Sequence, residues 1–258
     1  MTEELHKAAQ YLCCAGKSYL DHQPDDSHTN MGWEPGIEAL ITHPLGQYQD
    51  HYLSLNFRSY SLEFLDENLD VVSSMHLDGA NHVSIVNWIG EEAVNLEIGE
   101  LYSYDLHYEL PYEPIDEEFC FPEPDYNELE RLIDLRNLVQ HGIQHATGIF
   151  DVEVDLRVWP HHFDTGAVIG LDSALPRSIG LGMAIPDSMS GEYYLYVSGW
   201  SHDNTFVLDG MPELQNGRWM FPDWNGAILP CEDLGDKETM TFFIEAIKAA
   251  HERHAISG

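Results

Sequence analysis

Two runs decide the fold: Ile179-Gly180-Leu181-Gly182-Met183-Ala184-Ile185 (IGLGMAI) and Tyr193 to Trp200 (YYLYVSGW), separated by the turn-forming PDSMSGE. In the first, Ile179, Leu181, Met183 and Ile185 alternate with Gly180, Gly182 and Ala184. That period of two places successive side chains on opposite faces of a strand. One face is bulky, and the other is bare enough for a helix or a ligand to approach closely. Tyr194 and Tyr196 on the following strand, with His202 beyond it, complete a candidate ligand pocket over Gly180 and Gly182.

Working outward, 166–171 reads as another strand, and Val152, Val154, Leu156 and Val158 alternate with polar or bulky neighbours as a strand with one buried face. Between residues 50 and 110 the chain offers further short strands at 51–57, 60–65, 70–77, 82–89 and 101–110, divided by turn signals such as DENLD and LDGAN. Three segments carry helical periodicity instead: Thr2 to about Asp21, Asn127 to about Thr147, and Asp236 to about His254. Strands in runs with few helices between them predict an α+β fold. The expectation is one unit over 1–258, mainly antiparallel sheet with N-terminal, central and C-terminal helices. Sub-regions 1–110 and 127–258 would be joined by the loop 111–126, whose first fourteen residues hold four prolines and five acids.

Composition excludes several classes of function. Forty-five acids against eleven bases give a formal charge of −34, with no Lys or Arg between Arg58 and Arg131. Such a surface repels nucleic acid and anionic membranes, since it offers no cations to neutralise phosphates. No run of apolar residues is long enough to span a bilayer. The acidic opening MTEELHKAAQ lacks the basic start of a signal peptide, so a cytoplasmic protein is expected. The four cysteines, Cys13, Cys14, Cys120 and Cys231, show no CxxC spacing and are expected to be reduced. Nucleophile elbows, phosphate loops and EF-hand loops are absent from the sequence.

The histidines supply the candidate chemistry. In Arg157 to Asp164 (RVWPHHFD), a strand continuing past Pro160 would place His162 and Asp164 on one face. A carboxylate there fixes the histidine tautomer, which suits a general base or a metal ligand. His141 and His145 share a helix face at zinc-ligand spacing, although the HExxH glutamate is missing. With His161 they make the metal candidates His141, His145, His161, His162 and Asp164, for zinc or another divalent ion.

WPHHFD (159–164), GMAIPDSMSGEYYLYVSGW (182–200), WNGAILPCEDL (224–234) and NMGWEPGIEAL (30–40) together resemble an uncharacterised bacterial family carrying a WPHHFD-like box. The resemblance spans most of the chain and implies a shared fold, with no assigned activity.

Three functions follow as expectations. The first is a small-molecule-binding or non-catalytic domain. The second is a divalent-metal hydrolase-like enzyme using a His/Asp cluster. The third is an acidic module for a basic protein partner, engaged through 91–130 in a salt-sensitive way.

Overall fold

The structure is a computed structural model that describes residues 1–46, 49–172 and 176–257. It is α+β, with two antiparallel sheets and helices at both ends and in the centre. The chain divides into two compact units: Met1–Asp134 with Arg157–Phe163, and Leu135–Leu156 with Asp164–Gly258. The division falls inside the central helix, not in the 111–126 loop.

The first unit holds α1 (Thr2–Tyr19), β1 (Gly32–Glu34), β2 (Ala39–Ile41), β3 (Tyr52–Asn56), β4 (Ser61–Leu65), β5 (Val71–His76), α2 (His82–Asn95), the start of α3 (Tyr126–Ile149) and β6 (Arg157–Trp159). Its sheet is an antiparallel meander, β1-β2-β3-β4-β5. Leu40, Leu53, Leu55, Leu62 and Phe64 are all wholly buried. By the register, Leu55 opposes Leu40 and Leu62, while Phe64 opposes Leu53, so one sheet face is continuously apolar. Each such side chain contributes about 2 kcal/mol of burial.

Every residue of α1 from Leu5 to Gly16 is buried. A helix enclosed on all sides needs small residues and satisfied polar ones. Ala8, Ala9, Cys13, Cys14, Ala15 and Gly16 supply the first requirement. For the second, Gln10 Nε2 donates to the Pro160 carbonyl at 2.9 Å, His6 Nε2 meets the same oxygen at 2.8 Å, and Lys7 pairs with Glu3 at 2.8 Å.

Residues 101–110 are not a strand. Their alternation is real, but the partner is α1 itself. Tyr102 donates to the Tyr11 carbonyl at 3.1 Å, the Tyr104 ring lies 5.0 Å from Tyr11, and Tyr108 donates to Gln10 Oε1 at 2.6 Å. Tyr112 then meets His6 edge-on. The segment is a strap running antiparallel to the helix, held by every second or fourth side chain. Burial raises the hydroxyl pKa of Tyr102, Tyr104 and Tyr108 above the usual value, so all three stay neutral, and Tyr102 and Tyr108 serve as donors.

The 82–89 strand is also overturned: it is the first half of α2. Asn81 caps that helix by accepting the Ser84 N–H at 2.9 Å, and Ile85, Ile89 and Ala93 form its buried stripe at a spacing of four. The cap and the stripe override the β-branched composition. The strand read over 152–158 shrinks to β6, because 152–156 find no strand partner among the described residues.

The second unit holds the rest of α3 with β7 (Asp164–Asp172), β8 (Arg177–Ala184), β9 (Tyr194–Ser201), β10 (Arg218–Trp219), β11 (Gly226–Pro230) and α4 (Asp236–Ser257). Its strands run antiparallel in the order β10-β11-β9-β8-β7. Ile179, Leu181 and Met183 face the core as expected, and register places them opposite Gly199, Val197 and Leu195. Ala227 continues this face into β11. Gly142 lets α3 close on α4, since a Cβ there would stand 2.5 Å from the Thr239 methyl.

Candidate metal centre

The histidines do not gather where spacing suggested. The chain leaves β6 after Trp159 and turns through 160–163, with the Phe163 N–H donating back to the Trp159 carbonyl at 2.6 Å and Phe163 at φ 57°. The strand therefore does not continue past Pro160, and the shared face of His162 and Asp164 is lost. His161 and His162 are exposed, their rings 4.3 Å apart, with Tyr108 and Trp159 edge-on to His161. Asp164 opens β7 and accepts the Tyr196 hydroxyl at 2.9 Å. On α3, His141 and His145 are both exposed, and His141 faces Asp236 at 3.6 Å.

The bare face of β8 is filled by the protein's own side chains. Tyr196 stands opposite Gly182, and its hydroxyl lies 2.8 Å from where a Cβ would sit on Gly182 or on Gly166. Ser198 covers Gly180 in the same way. Tyr194 donates to Asp187 at 2.8 Å, and His202 is exposed in the turn after β9. Burial and the neighbouring Asp164 carboxylate raise the Tyr196 hydroxyl well above its usual pKa, so it serves as a fixed donor.

Convergence occurs elsewhere, in the loop Asp21-His22-Gln23-Pro24-Asp25-Asp26-Ser27-His28 after α1. Ligand atoms of His22, Asp26 and His28 all lie within 4.8 Å of one another, and no other such group of three occurs among the described residues. An ion held at about 2.0–2.2 Å from each needs those atoms about 3–4 Å apart, within reach of small side-chain rotations. His22 is exposed, Asp26 half-buried and His28 buried, so the group opens to solvent from one side.

The local fold explains the convergence. Leu20 ends α1 by donating to the Gly16 carbonyl, and Pro24 forbids a further helical turn. Asp25 accepts the Ser27 N–H at 3.1 Å, making the tight turn that carries Asp26 at φ 58°. Thr29 donates both its N–H (2.9 Å) and its hydroxyl (2.8 Å) to the Asp26 carbonyl. Two distant segments pin the loop from outside. His43 Nε2 lies 3.0 Å from the Ser27 carbonyl and 2.8 Å from Asn30 Oδ1, and His107 Nε2 lies 3.1 Å from Asp26 Oδ2. Gly16 is what permits the approach from below: a Cβ there would meet the His28 carbonyl oxygen at 2.4 Å.

No family model, curated protein or solved structure matches this chain. The site is therefore read from its own chemistry.

Two imidazoles and a carboxylate suit zinc and neighbouring divalent transition metals, in contrast to the all-oxygen sets preferred by calcium or magnesium. Burial, then the neighbouring His22, lower the His28 pKa, which favours the neutral ring a metal requires. The Gln23 N–H donates to His28 Nδ1 across 3.3 Å, a long bond. An ion bound at Nδ1 replaces that bond, whereas binding at Nε2 would turn a ring N–H toward the Gln23 N–H. Either mode takes from the Gln23 N–H its acceptor on the ring. His107 holds the Asp26 carboxylate from outside, the kind of support that tunes a metal ligand. Beside the group, a cavity of about 260 Å³ is lined by Leu20, Gln23, Ser27, His43 and His28 itself.

Residues 21–30 carry neither a helix nor a strand period. The signal was present as H-x₃-D-x-H within seven residues. Only the turn at Asp25–Ser27 brings that spacing together, and helix or strand periodicity carries no information about it.

Proposed function

We propose that this protein binds a divalent transition-metal ion through His22, Asp26 and His28. The observation that carries it is the convergence of three ligand atoms of metal-binding type within 4.8 Å on a loop held by His43 and His107. Three protein ligands leave a coordination position for water or a small molecule, the arrangement of catalytic rather than structural zinc sites. The adjoining cavity gives a compact ligand access to the same loop. An ion there would act as a Lewis acid or lower the pKa of bound water, which supports hydrolysis of a small substrate as its chemistry.

The test is calorimetric titration of the full chain with zinc in 150 mM salt. The wild type is expected to take up one equivalent well above the weak background of an acidic surface. His28→Ala should abolish that equivalent, while the double variant His141→Ala/His145→Ala should keep it. Weak uptake alone in the wild type, or an equivalent lost only with His141 and His145, would overturn the proposal.

A further inference from the structure

The first unit's sheet has a second, polar face, which is buried on β3 and β4 and exposed on β5. Ser54, Ser61 and Glu63 alternate with the apolar core residues of β3 and β4, yet all three are buried, Glu63 to 6 % exposure. Glu63 is a carboxylate held among neutral groups. Ser61 Oγ lies 2.7 Å and Ser59 Oγ 3.1 Å from its Oε1, and Asn56 Nδ2 lies 3.3 Å from its Oε2. The two hydroxyls are themselves 2.5 Å apart. Two hydroxyl protons cannot serve three oxygen–oxygen contacts, so one of the three lacks a donor. Asn56 Nδ2 spends its second N–H on the Ile37 carbonyl at 3.1 Å and has no further proton to give Glu63.

A carboxylate accepts at about four sites, and here three contacts reach it, two from hydroxyls on Oε1 and one from the Asn56 amide on Oε2, none of them charged. No cation makes up the difference among the described residues. Arg58 is engaged bidentately by Glu38, and His76 on the next strand meets the Ser59 carbonyl. A buried charge left this way is costly unless a partner arrives.

Glu63 lines a cavity of about 370 Å³ bounded by the 36–38 turn, the Arg58–Ser59 turn and Leu69. Ile37, Leu65, Leu69 and Val71 make its walls apolar. The volume and the walls exceed what a bare inorganic ion uses, and match a small organic molecule. Glu38 and Arg58 cancel at the rim, and Glu130 and Asp134 add negative potential there.

We propose that this cavity binds a small primary amine, with the ammonium group on Glu63 and Ser59 and a short hydrocarbon body against Ile37, Leu65 and Leu69. An ammonium brings three donors and one positive charge, which answers both the missing proton and the missing counter-ion. The site is independent of the His22–Asp26–His28 loop.

Titration of the full-length chain with n-butylammonium chloride at constant ionic strength, followed by amide chemical shifts, tests the proposal. Saturable shifts are expected at Asn56, Ser59, Ser61 and Glu63, with millimolar affinity. Glu63→Gln, which keeps the shape, should weaken binding at least tenfold, and n-butanol should not compete. If Glu63→Gln fails to fold, Leu69→Arg places a cation at the cavity mouth and should cause the same loss. Non-saturating shifts spread over the acidic surface, or binding unchanged in a folded Glu63→Gln or Leu69→Arg variant, would overturn the proposal.

Discussion

Two short stretches of this protein set a pair of histidines beside aspartate, His22 and His28 with Asp26 and His161 and His162 with Asp164, and they end differently. In 22–28 the three side chains converge. In 161–164 the histidines are exposed against each other while the aspartate opens the next strand and binds a tyrosine. The difference lies in the backbone. Residues 20–29 form a non-repetitive turn, closed by Asp25, Asp26 and Thr29, that folds the chain back on itself. Residues 160–163 form a connecting turn that buries Pro160 and Phe163, the latter stacked on His6 at 4.9 Å and an interplanar angle of 9°. The apolar side chains take the interior in the second stretch, and the imidazoles take the surface. Ligand types in close sequence are therefore not enough; the turn must direct them inward.

The comparison can be broken in several places. The largest effect is expected from Gly16→Ala, since its Cβ would meet the His28 carbonyl, a backbone atom that cannot rotate away. Overpacking of this kind costs about 1–3 kcal/mol, read by urea denaturation, and zinc uptake should fall with it as the loop is displaced. Undiminished zinc uptake in this variant would show that the loop does not depend on α1 for its shape.

Removing His107 leaves the ligands in place but frees the Asp26 carboxylate. His107→Ala should weaken zinc binding by about 10–100-fold, measured by competition with a chelating dye, without unfolding the protein. A weakening of less than twofold would remove His107 from the account of the site.

Tyr196→Phe tests the other stretch. Deleting the hydroxyl strips Asp164 of a donor and should cost about 1–3 kcal/mol in urea denaturation while leaving zinc binding unchanged. A loss of metal instead would return Asp164 to the list of ligands. The smallest effect belongs to His161→Ala/His162→Ala, two exposed side chains, for which stability should move by less than about 0.5 kcal/mol.

Much of the fold was legible because its elements are periodic. The three helices near 2–19, 126–149 and 236–257, and the strands around Leu53, Phe64, Ile179 and Val197, follow from repeats of 3.6 or 2. Segment 82–89 misled because Val83, Ile85 and Val86 have strand composition, while the deciding facts were the Asn81 cap and the spacing of Ile85, Ile89 and Ala93. Segment 101–110 misled in another way: its alternation is genuine, but periodicity names the face and not the partner, and the partner is a helix. The glycine face of β8 was visible in sequence. Its occupant was not, because the Gly182–Tyr196 pairing depends on strand register. The metal loop escaped for the same reason as any site built on a turn, since its geometry arises from hydrogen bonds that have no period.

Metal content tests the central claim most directly. Tag-free wild type, His22→Ala/His28→Ala and His161→Ala/His162→Ala would be loaded with zinc, dialysed without chelator and measured by elemental mass spectrometry. One equivalent in the wild type and in the 161/162 variant, with none in the 22/28 variant, is the predicted result. Equal zinc in all three, or loss only in the 161/162 variant, would contradict the assignment of the metal to the loop after α1.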